Sequence, residues 1–136
     1  MKRFFERFLV FLLLALPWSP ALAQDIRVVV YGDSLTSGYE LQPEQAFPAR
    51  LDSKLKAVGF TNVKVINMSV AGETTAGGVE RMPSLLAQHP DIVVVELGAN
   101  DALRGINTIM ISSNLSNIVN QLHSNNIYVV LIGMKA

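Results

Sequence analysis

Ser34 is the residue through which this chain could do covalent chemistry. It stands in VVVYGDSLTSGY (residues 28–39), where an apolar run stops at Gly32 and Asp33 and Ser34 follow at once. A short hydroxyl residue at the end of a buried strand either caps the next helix or is a nucleophile held up to a substrate. The chemistry open to such a serine is acyl transfer, which needs donors aimed at the oxyanion of a tetrahedral intermediate. Three candidates are the N–H of Ser34 itself, the N–H of Gly72 in SVAGETT (69–75) and the side-chain amide of Asn100 in GAND (98–101). Glycine at 72 lets the backbone approach closely, since no Cβ intrudes. Each stretch also has a plain structural explanation: Asp33 or Ser34 as a cap, Gly72 as a turn glycine at positive φ, Asn100 and Asp101 as loop or capping residues.

A serine at its ordinary pKa also needs an adjacent base. The only histidines are His89 and His123. Both fall just before predicted strands, near the amino ends, whereas Ser34 follows a carboxyl end. A six-residue strand at about 3.3 Å per residue separates those edges by roughly 20 Å, against a hydrogen-bond reach of about 3 Å. Neither histidine can be the base. The chain has no cysteine, which excludes disulfides, thiolate metal sites and a cysteine nucleophile.

The elements that position these residues alternate in type. Residues 26–31 are a continuous β-branched run, as expected of a strand covered on both faces, and 63–69, 92–97 and 127–132 are further strand candidates. Between them, residues 47–58 place Phe47, Leu51, Leu55 and Val58 at helical spacing, with Gly59 as the stop. Residues 75–88 read as a helix with Val79, Met82, Leu85 and Leu86 inward and a possible kink at Pro83. Residues 106–124 read as a long helix with Ile111, Leu115, Ile118, Val119 and Leu122 on one face. This alternation predicts an α/β layered domain with a parallel sheet. In such sheets ligands sit outside the carboxyl ends of the strands, and all three polar stretches follow those ends. Their convergence on one rim outweighs the plain explanation of each.

The 136 residues suffice for one ordinary domain. Lysine plus arginine balance aspartate plus glutamate at 11 each, so no excess of charge points to nucleic acid or an anionic surface. Residues 1–23 read as a signal peptide: Lys2, Arg3 and Arg7, then an apolar run over 8–16, Pro17, and Ala21-Leu22-Ala23 before the cut. Nine residues at 1.5 Å each cover about half of a roughly 30 Å hydrocarbon core, too little for a membrane span. The expected product is a periplasmic or secreted domain over 24–136, with no membrane span after cleavage.

GDSL at 32–35, the glycine of SVAGETT and GAND at 98–101 resemble the first three blocks of the SGNH, or GDSL, hydrolase family. The likeness is to its periplasmic thioesterase I, arylesterase and lysophospholipase group, and runs over residues 26–134. It implies a flavodoxin-like three-layer sandwich with strand order 2-1-3-4-5. It implies Ser34 as nucleophile, Ser34, Gly72 and Asn100 as the oxyanion hole, and a small-molecule acyl ester or thioester as substrate. It implies no metal and no cofactor. The family draws its base from an Asp-x-x-His block nearer the C-terminus, which is absent here, so the expectation is a C-terminally incomplete hydrolase, inactive alone. Neither Asp33 nor Asp101 is the triad acid of the family; both are expected to hold loops by accepting from backbone N–H groups. Tyr39, Leu41 and the loop over 42–47 are candidates to line the acyl site. The alternatives are a flavodoxin-like module that binds an anion without chemistry, against which stands the lack of any G-x-G-x-x-G or P-loop, and a scaffold that has lost its histidine.

Overall fold

A computed structural model describes residues 24–133. The expected signal peptide and its cleavage site lie outside the described residues, as do residues 134–136. The chain runs β1 (Ile26–Gly32), α1 (Ser34–Ser37), a 3-10 turn (Pro43–Gln45), α2 (Phe47–Ala57), β2 (Val63–Asn67), α3 (Thr75–Glu80) and α4 (Met82–Leu86). It continues through β3 (Ile92–Glu96), α5 (Ala99–Leu103), α6 (Thr108–Ser124) and β4 (Tyr128–Leu131).

The apolar run of β1 is buried from Val28 to Gly32 because helices lie on both sides of it. Val28 and Val30 pack with Leu51 and Leu55 of α2 on one face. Val29 and Tyr31 pack with Met82 and Leu85 of α4 and Ile118 and Leu122 of α6 on the other. Side chains of alternating direction thus enter two cores, which is why no charged residue interrupts the run from Val28 to Gly32. The sheet is parallel throughout, in the order β2-β1-β3-β4 expected for the first four strands. Its register sets Val30 beside Asn67 and Gly32 beside Glu96, so the carboxyl ends of β1, β2 and β3 finish nearly level. That level edge is what brings three distant loops together.

The structure departs from the periodicity in three places. The helix expected over 75–88 is two helices, divided at Arg81. Pro83 stands in the first turn of the second, where its missing N–H costs no hydrogen bond. Of the four apolar residues expected inward on α2, Leu51 and Leu55 pack against the core, whereas Phe47 and Val58, the latter just past the helix, are exposed. The long helix begins at Thr108 rather than 106, since the Asn107 side chain caps it by accepting from Ile109 N–H at 2.8 Å. The short helices α1 and α5, just after β1 and β3, carry no apolar periodicity and were not expected.

Candidate active site

The turn after β1 is built around Asp33. Its Oδ1 accepts from the Leu35 N–H at 3.0 Å, so Asp33 is the N-cap of α1 and Ser34, half-buried, is the first residue of the helix. Capping therefore falls to Asp33 and does not occupy the Ser34 hydroxyl. The Asn100 side-chain amide donates to Asp33 Oδ2 at 3.0 Å. A primary amide has two N–H donors; this bond uses one and leaves the other. Gly98 sets the bend ahead of α5 at a φ of +121°, a conformation that L side chains rarely adopt.

Asp101, also fully buried, accepts from Thr75 N–H at 2.8 Å and from its hydroxyl at 2.6 Å. Both aspartates thus accept from backbone N–H groups, as expected, and each also takes a side-chain donor.

Gly72 lies in the loop between β2 and α3. It is exposed, and a Cβ built on it would meet only the Arg104 guanidinium, at 3.9 Å. Crowding therefore does not require glycine here; a φ of +81° does. The loop is gripped at several points. Arg104 Nη2 donates to the Gly72 carbonyl at 3.0 Å, and Arg81 Nη1 to the Met68 carbonyl at 3.1 Å. Arg81 also pairs with Glu73 and lies over the Tyr31 ring, 4.5 Å from its centroid, a cation–π arrangement. The Tyr31 hydroxyl donates to the Gly78 carbonyl at 2.6 Å, and burial pushes its pKa up to about 12. Beside the turn, Val70 N–H reaches Gly32 O at 2.9 Å and Asn67 Nδ2 reaches Ser37 O at 3.0 Å.

One group here escaped sequence reasoning. Glu96 ends β3 and is buried, and its Oε2 accepts from the Asp33 N–H at 3.4 Å and the Thr36 hydroxyl at 3.2 Å. Burial, and next the charge of Asp33, hold its carboxyl above the usual carboxylate range. The signal was a single acid closing the run IVVVEL (92–97), where a strand covered on both faces has no place for a solvated charge.

The structure thus joins the Ser34 turn, the Gly72 loop and the Asn100 segment through short hydrogen bonds at one rim. It does not bring the histidines there. His89 precedes β3 and His123 is in the last turn of α6 before β4; both are exposed at the opposite edge. An apolar cavity of about 630 Å³ opens beside the turn, lined by Leu35, Leu97, Ala99, Ala102, Leu103 and Leu115 among others. Tyr39 and Leu41 are exposed and do not line it. Among the described residues no helix is long and apolar enough to cross a membrane.

Residues 30–135 match the model of the GDSL-like Lipase/Acylhydrolase family. An arylesterase of Vibrio mimicus is 42% identical over 110 residues, which are 80% of this chain and 54% of that protein. Esterase TesA of Pseudomonas aeruginosa is 37% identical over 125 residues, covering 91% of this chain and 61% of its own length. The crystal structure of AlinE4, an SGNH-hydrolase family esterase, superposes with a TM-score of 0.79 at 36% identity, covering 85% of this chain and 62% of that one. The chain spans little more than half the length of the curated relatives it matches. With its fold, its three rim segments and these likenesses agreeing, the chain belongs to the GDSL-like lipase/acylhydrolase, or SGNH hydrolase, family.

Proposed function

We propose that the protein is an exported serine hydrolase of carboxylic esters or thioesters, with residues 1–23 as its cleaved signal peptide and Ser34 as its nucleophile. The observation that carries this reading is the 3.0 Å bond from the Asn100 amide to Asp33, which sets an oxyanion donor beside the residue preceding Ser34 while Asp33 alone caps the helix. Ser34 Oγ attacks the acyl carbonyl and gives its proton to a histidine base. The negative oxygen that forms is met by the Ser34 N–H, the Gly72 N–H and the second N–H of Asn100. Collapse expels the alcohol or thiol, which takes the proton back from the base, and a water repeats the sequence to free the acid. His89 and His123 stand at the wrong edge for that proton. The base of the proposed reaction is a histidine of the Asp-x-x-His block that the family resemblance implies, outside the described residues.

The test compares two proteins. Residues 24–136 alone should hydrolyse p-nitrophenyl acetate little faster than buffer, since removing the histidine of a serine protease costs roughly 10⁶-fold in kcat. The product of the complete reading frame should be an esterase, labelled by a fluorophosphonate at Ser34 and inactivated by Ser34→Ala. Robust activity from residues 24–136 would mean that another base is at work; labelling at Ser37 or Ser69 would move the nucleophile.

A further inference from the structure

The carboxyl of Glu96 takes no part in the reaction just described, yet it sits at the foot of the Ser34 turn. Glu96 is 3% exposed. Its Oε2 holds the Asp33 N–H and the Thr36 hydroxyl, while its buried Oε1 has no hydrogen-bond partner among the described residues. Gly32 makes room for it: a Cβ there would stand 2.9 Å from Glu96 Oε2 and 2.2 Å from Thr36 Oγ1. Asp33, next to it, is fully buried and has both oxygens engaged, Oδ1 by Leu35 N–H and Oδ2 by the Asn100 amide. Among the described residues neither carboxyl forms an ion pair. Burial, and next the charge of Asp33, hold the Glu96 carboxyl above its ordinary range.

We propose that Glu96 is a positioning residue of this site: its Oε2 anchors the Asp33 N–H and keeps Asp33 set to hold the Asn100 amide, whose other N–H then faces the oxyanion. This rests on the hydrolase reading above. Glu96 acts through Asp33 and Asn100 and touches no reacting atom.

The experiment uses the product of the complete reading frame and its variants Glu96→Gln, Glu96→Ala, Asn100→Ala and the Glu96→Ala/Asn100→Ala double variant, with p-nitrophenyl acetate as substrate. Glutamine keeps an oxygen to accept from the Asp33 N–H and the Thr36 hydroxyl, so Glu96→Gln should keep kcat within about 3-fold of wild type. Glu96→Ala should lower kcat by roughly 10- to 100-fold with KM almost unchanged, less than the about 10²–10³ expected for Asn100→Ala. In the Asn100→Ala background the same Glu96→Ala change should cost little more, because the two act along one path. Independent, multiplying losses, an effect on KM alone, or Glu96→Gln as damaged as Glu96→Ala would each overturn the assignment. If Glu96→Ala does not fold, retention or loss of kcat in Glu96→Gln decides alone. A wild type neither active nor labelled at Ser34 would instead sink the hydrolase reading. The side-chain amide resonances of Asn100, displaced in Glu96→Ala and not in Glu96→Gln, would still report on Glu96; no displacement in either would refute it.

Discussion

At the scale of single residues, a division of labour between neighbours decides how Ser34 is presented. Asp33 caps α1 and receives Asn100, and Glu96 stands behind Asp33. The raised pKa of Glu96 has a consequence for stability. The folded protein binds this proton more tightly than the unfolded chain, so the contribution is fully present below the ordinary glutamate value of 4.5. It is lost as pH rises through the folded value. Urea midpoints measured from about pH 4 to about pH 9 should therefore fall more steeply with pH in wild type than in Glu96→Gln; parallel profiles would show that Glu96 titrates normally. Ser34 and Asn100 were singled out from sequence because three small polar stretches follow the carboxyl ends of successive strands, although each stretch alone has a plain structural explanation. Glu96 was not, because an acid at a strand end reads as the point where the chain meets solvent. Only the register that pairs Gly32 with Glu96 places it behind the turn. The grip of Arg104 on Gly72 was hidden for the same reason: nothing local connects residues 32 apart.

At the scale of elements, close approach governs the layer opposite α2. Gly78 of α3 lets that helix press against the sheet: an added Cβ would lie 2.6 Å from Leu97 Cδ1 and 3.2 Å from Ile118 Cδ1. Gly78→Ala should therefore destabilise the fold by about 1–3 kcal/mol through overpacking, despite the better helix propensity of alanine. A lowered urea midpoint at unchanged slope would show it; an unchanged or higher midpoint would mean that the side chains give way. The four strands were legible to within two residues at either end, since continuous β-branched runs between helical patterns leave little choice. The division of 75–88 at Arg81 was less so. Spacing placed the apolar residues correctly in both halves, and it could not say whether Pro83 bends one helix or opens a second. Arg81 favours the second outcome here, because its side chain is drawn to Met68, Glu73 and the Tyr31 ring.

At the scale of the whole molecule, β4 is the edge of the described sheet, and Tyr128, Val130 and Leu131 are exposed there at 76%, 49% and 54%. An apolar edge of this kind pairs readily with other chains. Residues 24–136 expressed alone should self-associate in light scattering, and Val130→Lys should reduce it; a monodisperse, cooperatively melting monomer would count against an open edge. The bond between Asn100 and Asp33 also has a kinetic side. It closes a span of 67 residues, and parallel pairing at such separation is slow compared with the coiling of a helix such as α6. With Ser34 as the proposed nucleophile, the serine acquires its surroundings only when that span closes, and its reactivity would be a clock for the last stage of folding. When the product of the complete reading frame is refolded from urea, fluorophosphonate labelling of Ser34 should recover later than the far-ultraviolet helical signal. Recovery of both in a single phase would mean that the rim assembles together with the helices.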